Sequence, residues 1–518
     1  MKRSWIASFL GCLITTTTLA APQTLTIHNG PEPDSLDPHL TSSVDGSNLG
    51  RQLFEGLVTF NPEKPTTVIG GVAEKWTISP DGKTYTFYLR NNATWSDGSR
   101  ITANDFLYGW RRAIDPKTAS PQGSRYNYIK NGKAFLEGKI KDPSLLGFKV
   151  INDTTFQVEL EGPFPPFLQL ITFSTFAPIK KDVVEKYGDQ WVKPEHMVCN
   201  GPFLLKMWTP YDRIVMIKNP LYWDAIRVRL DGVTFLMIDD FETILKRYEA
   251  GDIDFFYSLP QGKVPSYMKH PDFHSSSEFA LYQYMFNVKH PALQDARVRR
   301  ALALSIDRKL IVDKIMRGRE IPATGFIPPG VSGYAYKTYL RFDPQEAKKL
   351  LAEAGYPDGK NFPILTLSYN TVEVHRLIGE AIQQMWKQNL GIEVKLQNQE
   401  WKTHLAALHH HDFEIARLGG VGEYVYPTTF LENFTAGTSG NYSQWTNPKY
   451  DQLWDEAKQA ATPARQLRLM RQMEDIIMEE MPWAPIYNSA IYWMTKPRVK
   501  NLTLLPGRAF FLKYASVR

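Results

Sequence analysis

Between Ile364 and Leu418 the chain changes period four times, and this alternation restricts its fold more than any other feature. Ile364, Leu365 and Leu367 read as a buried strand. Val374, Leu377, Ile378, Ala381, Ile382 and Met385 then recur at the spacing of one helix face. Ile392, Val394 and Leu396 alternate with Glu393, Lys395 and Gln397, which is strand period again. A short helix over 401–408 leads to a third strand, where Phe413, Ile415 and Arg417 alternate with Glu414, Ala416 and Leu418. A β-α-β-α-β order joins parallel strands by right-handed crossovers. Ligands of such sheets lie beyond the carboxyl ends of the strands.

Arg417 falls at the carboxyl end of the third strand, on the face that carries two large apolar side chains. A charge there is costly to bury alone, so it calls for a partner, either internal or brought by a ligand. Gly419 and Gly420 follow directly and let another backbone approach closely. Glu423 stands a few residues later, before a turn at Pro427. His375 opens the helix after the first strand, at another carboxyl end; a histidine so placed is by itself more often a surface helix residue. A cation and an anion thus flank a strand end opened by glycine, the layout that an extended zwitterion requires.

At 518 residues the chain exceeds a single ordinary core and should divide into two or three units. Its 43% hydrophobic and 22% charged residues exclude wholesale disorder. Residues 1–20, MKRSWIASFLGCLITTTTLA, have two basic residues, an apolar run and small residues, which fits a secretory leader cut after Ala20. Cys12, preceded by Gly11, is a competing lipidation site, although the apolar run before it is very short. The net charge of +6 falls to +4 once Lys2 and Arg3 leave, too mild and dispersed a balance for nucleic acid. No later apolar run approaches the ~20 residues of a membrane span. With the leader removed, Cys199 is the only cysteine, so no intrachain disulfide forms.

Along the rest of the chain, LTIHN from Leu25 reads as a strand and LFEGLVT from Leu53 begins a new unit. Hairpins are expected around Asp81-Gly82 and around Asn152-Asp153. Thr102, with Asp105 three residues on, is a helix N-cap. The stretch to about Phe173 is therefore mixed and largely antiparallel. Residues 200–260 alternate strands with a helix containing Phe241, Leu245 and Tyr248. Asp295–Met316 and Tyr450–Met481 read as long helices, Ala347–Ala354 as a helix ended by Gly355, and APIYN as a strand.

Catalytic signatures are mostly absent: there is no GxSxG elbow, no HExxH, no Walker loop and no dinucleotide fingerprint. Cys199 has no activating neighbour and reads as an inert buried thiol. His404, His409, His410 and His411 match no structural zinc spacing and read as a solvated loop. Tyr282, Tyr284, Tyr424, Tyr426 and Tyr487 fall near expected strand ends. Most of these are structural, and a few are suited to lining a pocket for varied side chains.

LDPHL, LFEGL, the block from YTFYLR through WSDGSRITANDF to DPKTAS, NGPFLLKMW, RVRRALALSIDR, AKKLLAEAGY and NQEWKT resemble the periplasmic oligopeptide-binding proteins of ABC importers, in extracellular solute-binding protein family 5. The resemblance runs from about Leu25 to the end of the chain. It implies an α/β fold of the type II periplasmic binding protein class. One lobe would be discontinuous (21–54, 179–279 and 490–518), a third domain (55–178) would be inserted in it, and 280–489 would form the opposite lobe. It implies an exported, periplasmic monomer that encloses a short peptide between closing lobes and passes it to an inner-membrane permease, with no enzymatic activity, cofactor or metal. Arg417 and His375 would meet the ligand's carboxyl end, Glu423 its α-amine, and the backbone at Gly419, Val421 and Val44 its main chain. Glu423 replaces the family's aspartate, and Gly420 a common tryptophan. A cysteine pair seen in some relatives falls on Ala280 and Val421. A murein-peptide receptor of the same family is the nearest alternative, and a secreted peptide hydrolase a more distant one.

Overall fold

The chain begins its regular structure with a strand that cannot be completed locally. In this computed structural model, which describes residues 22–518 except 65–66, 258, 261, 439, 461 and 503, β1 (Thr24–Gly30) buries Leu25 and Ile27 between partners more than two hundred residues away. The expected leader and Cys12 lie outside the described residues. Helix α1 (Val44–Leu53) follows, capped by Ser43 Oγ, which accepts from the Gly46 amide. Next, β2 (Ala73–Ile78) and β3 (Thr84–Leu89) form the expected hairpin, with Gly82 at φ 71° in its turn. Helix α2 (Ala103–Ile114) starts at Thr102, whose amide donates to Asp105 Oδ2 at 2.7 Å. The second hairpin, β4 (Phe148–Asn152) and β5 (Thr155–Glu159), completes a four-stranded antiparallel sheet in the order β2-β3-β5-β4. Trp110 of α2 seals its core: the ring lies 5.2 Å from those of Phe156 and Phe176, and Nε1 donates to the Phe176 carbonyl.

Two short pairs stand apart, Val58–Phe60 with Val68–Gly70 and Val499–Lys500 with Ser516–Val517, and the other strands join one large mixed sheet. They are β6 (Phe203–Thr209), β7 (Arg213–Lys218), β8 (Gly232–Met237), β9 (Phe255–Tyr257), β10 (Phe273–Phe286), β11 (Leu365–Asn370), β12 (Val394–Gln399), β13 (Ile415–Val421) and β14 (Trp483–Thr495). The order is β12-β11-β13-β10-β14-β9-β1-β8-β7-β6, with Ile321–Pro322 pairing on β14. The expected β-α-β-α-β run is present: β11 pairs in parallel with β12 and β13, through helices α3 (Glu373–Leu390) and α4 (Trp401–His409). The long strands β10 and β14 run side by side across the middle of the molecule. Their register slips between Ser277, opposite Ala490, and Leu281, opposite Asn488, so that three residues face one.

Two expected helices are interrupted. The stretch 295–316 is helical over Ala296–Leu304, then breaks before a short helix at Arg308–Leu310 and a wider turn over Ile311–Ile315. The buried Arg308 guanidinium explains the break, since it donates to the carbonyls of Ala303, Ile306 and Pro485. The stretch 450–481 is two helices, Pro448–Lys458 and Pro463–Glu480, because Thr462 caps a new start at Pro463. Cys199 is buried and free, and burial pushes its thiol up to about 12.

Candidate functional site

Strand β13 carries most of the candidate residues, and its hydrogen bonding decides what they offer. Along its whole length it pairs antiparallel with β10, from Phe286 opposite Ile415 to Ala280 opposite Val421. With β11 it pairs only at Ile415 and Ala416. The Gly422 amide donates to the Phe279 carbonyl at 2.8 Å, which fixes the phase of the β10 ladder. In an antiparallel ladder alternate residues turn their amides to opposite sides. Those of Leu418, Gly420 and Gly422 therefore face β10, and those of Arg417, Gly419 and Val421 face away from it. Beyond Ala416 that side has no strand partner, and Gly419 and Val421 are both exposed. The position expected for Arg417, at the end of its strand, is corrected: the strand continues four residues further, because β10 remains beside it after β11 has stopped.

The Arg417 carbonyl is already taken. His404, fully buried on α4, donates from Nε2 to it at 2.8 Å, and its Nδ1 lies 2.9 Å from the side-chain amide of Gln399. Burial lowers the pKa of His404. His411 instead points Nδ1 at the Tyr442 carbonyl. The histidines thus do not converge, and among the described residues no three His, Cys, Asp or Glu side chains gather in a way that would hold a metal.

The Arg417 guanidinium lies over the Tyr282 ring, with Cζ 4.5 Å from the centroid, and Nη1 donates to Asn370 Oδ1 at 3.0 Å. Its Nε is buried without a hydrogen-bond partner, and among the described residues no carboxylate pairs with it. His375, third residue of α3 and 7% exposed, stands 3.3 Å from the Tyr282 hydroxyl through Nδ1. Burial, reinforced by Arg417 and His404, lowers its pKa to about 3, so at neutral pH the imidazole is uncharged. Tyr282 is stacked on Tyr487 at 4.6 Å, and the Tyr284 hydroxyl is buried beside it without a partner. A cation, a neutral imidazole and two tyrosines thus form a positively charged recess with donors to spare, suited to a carboxylate. Tyr282 is one of the tyrosines named from the sequence, but Asn370 was not singled out there; it ends the same strand that His375 follows, and this was the available signal.

Glu423 lies in the turn after β13, its side chain half exposed, and meets Arg125 Nη2 at 3.5 Å. Arg125 belongs to the short turn Gly123–Tyr128, close in sequence to the four-stranded sheet, so this ion pair bridges two separate parts of the chain. Two more contacts join the same parts. The Tyr128 and Tyr424 hydroxyls are 3.1 Å apart, and the Val425 amide donates to Gln169 Oε1. Arg125 carried no sequence signal, being one cation in a polar loop. Val44, 43% exposed, is the first residue of α1 and belongs to no strand of the large sheet.

A sequence profile of the bacterial extracellular solute-binding proteins, family 5 Middle, matches residues 67–442. Over 501 residues, 94% of this chain and 90% of the other, the sequence is 37% identical to the periplasmic oligopeptide-binding protein OppA of Salmonella typhimurium. The unliganded open form of the murein tripeptide-binding protein MppA superposes with a TM-score of 0.86 at 36% identity, covering 96% of this chain and 98% of that one. A structure of the Escherichia coli murein tripeptide-binding protein gives 0.76 at 37% identity, covering 97% and 99%.

Proposed function

The chain belongs to the bacterial extracellular solute-binding proteins of family 5, and from that premise we propose that it captures short peptides for an ABC importer. The observation that carries this reading is the unpaired edge of β13. At Gly419 and Val421 it offers main-chain donors and acceptors of the kind an added strand uses. At one end of that edge stands Arg417, with no carboxylate of its own among the described residues; at the other stands Glu423. An extended peptide with free ends complements all three features, and pairing through the main chain is indifferent to side chains. Val44, at the exposed start of α1, is assigned to the facing wall.

The lobes are read as 21–54 with 179–279 and 490–518, the inserted unit 55–178, and 280–489. The slip in register between β10 and β14 supports these limits, since it spans 278–280 on one strand and 489 on the other, where both segments change lobe. Closure then bends the sheet at that irregularity while the lobes move as units. The protein is read as a monomeric binder without enzymatic activity, exported by a leader cut after Ala20, and its partner is an inner-membrane permease. Calorimetric titration with tri-, tetra- and pentapeptides of unrelated sequence, each with two uncharged residues at its amino end, tests the reading. Comparable affinities across the panel are expected, with peptides recovered intact. Binding of none of them, or release of cleavage products, refutes it.

A second reading, a receptor for a murein peptide, is supported by the likeness to MppA. A murein tripeptide included in the same titration separates the two: preference for it over every ordinary peptide favours this reading.

A further inference from the structure

At the amino end of the proposed cleft the protein has more positive than negative charge. Arg125 packs on Phe173, with Cζ 3.9 Å from the ring centre, and Arg51 of α1 packs on the same ring at 5.5 Å. Arg51 is only 8% exposed. Its one hydrogen bond among the described residues runs from Nη1 to Asn48 Oδ1, at 3.3 Å within its own helix, and its Nε has no partner. Among the described residues no carboxylate pairs with it. Glu55, four residues on, is engaged instead by Tyr222, Trp223 and Lys513. Arg125 Nε is also buried without a partner, and among the described residues its one anion is the half-exposed Glu423. Two guanidiniums therefore stand on one ring, and only Arg125 has a carboxylate, the one on which the reading above places the peptide's α-ammonium.

We infer that Arg125, supported by Arg51 on the Phe173 ring, is a specificity-determining residue that seats a carboxylate carried by the first or second residue of the peptide. The inference rests on the peptide-binding reading and deepens it. When an α-ammonium takes Glu423, Arg125 loses its counter-ion in a largely buried setting, and an unpaired buried charge is costly. A ligand whose amino end also bears a carboxylate repairs this: its ammonium meets Glu423 and its carboxylate meets Arg125. A lysine there adds a third cation to the same neighbourhood and is rejected. Burial and the proximity of Arg125 lower the Arg51 pKa to about 10, which still leaves it charged at neutral pH. The preferred substrates are thus acidic at their amino end, in a site whose main-chain pairing tolerates any sequence elsewhere.

The test is calorimetry on the full chain with four matched peptides, Glu-Ala-Ala-Ala, Gln-Ala-Ala-Ala, Lys-Ala-Ala-Ala and Ala-Glu-Ala-Ala. The wild type is expected to bind the better of the two glutamate peptides at least about tenfold more tightly than the glutamine peptide, and the lysine peptide most weakly. In Arg125→Met the glutamate-to-glutamine ratio falls to within about threefold, and Arg51→Met gives a smaller fall in the same direction. A wild type that binds glutamine as well as glutamate overturns the inference whether or not the variants fold, and so does a preference that survives Arg125→Met. Failure of all four peptides to bind is a different result, which refutes the peptide-binding reading itself.

Discussion

The guanidinium of Arg417 rests 4.5 Å from the centre of the Tyr282 ring, and the hydroxyl of that same ring faces His375 Nδ1 at 3.3 Å. One tyrosine therefore holds both groups of the carboxylate recess, the charged one through its π face and the neutral one through its polar tip. The charge and the neutral donor do different work, and the first prediction separates them.

Arg417→Ala should weaken peptides with a free carboxyl terminus by about 2–5 kcal/mol while affecting C-terminal amides much less, because the lost charge is the one that pairs with the carboxylate. His375→Gln should cost less, since burial keeps His375 neutral and its pKa of about 3 means it contributes no charge. The acid-over-amide preference of the wild type should accordingly not change between pH 5 and pH 8. Calorimetry at both values checks this; a preference that grows as the pH falls through 6.5 would mean that His375 becomes charged in the site.

At the other end, Glu423→Gln should weaken free-amine peptides far more than their N-acetylated forms. It also removes the one anion that pairs with Arg125 among the described residues. Acetylated peptides with an acidic first residue should therefore suffer least of all. Equal discrimination by the variant and the wild type would remove the amine site from Glu423.

Ala280 and Val421 stand opposite each other in the β10–β13 ladder. The Gly422–Phe279 bond makes theirs a non-hydrogen-bonded pair, the closer of the two kinds. Ala280→Cys with Val421→Cys should oxidise spontaneously and raise the melting temperature, corresponding to about 2–4 kcal/mol. The gain should vanish on reduction. Persistence of three titratable thiols in the unfolded, oxidised protein, Cys199 included, would show the register to be wrong.

Glu432 offers a pH test. Burial, with the nearby Glu423 carboxylate adding to it, raises its pKa from 4.5 to about 7. The native state thus binds more protons than the unfolded chain across that interval. The stability owed to protonated Glu432 is complete below about 4.5 and is lost as the pH rises through about 7. Glu432→Gln keeps the neutral form at every pH. The melting temperature of the variant minus that of the wild type should therefore increase from pH 4.5 to pH 8. A constant difference would show that Glu432 titrates normally.

What was legible in the sequence is what neighbouring residues decide. Leu365, Val394 and Ile415 showed their strands by alternation, and Ile378 and Ile382 their helix by spacing, because each pattern reports one face turned to a core. The family resemblance also came from local motifs. What stayed hidden depends on distant partners. Nothing near Arg417 reveals that β10, more than a hundred residues earlier, prolongs its strand. Nothing near Ser305 reveals that Arg308 must reach the Pro485 carbonyl and so divide a helix. Arg125 acquires its meaning only from Glu423, 298 residues on.

The place of β14 in the large sheet also bears on how the molecule is made. This strand comes from the last part of the chain, yet it lies between β10 and β9, and beyond it Phe510 and Leu512 pack in the core that holds Leu25 and Ile27. A ribosome or a translocation pore delivers the chain from its amino end. Until the final segment emerges, β9 and β10 lack the neighbour that joins them and the large sheet has an open seam. Closing that seam joins residues at the two extremes of the sequence, which is slow in proportion to the loop it must close. The large sheet is therefore locked by the last of its strands to be made.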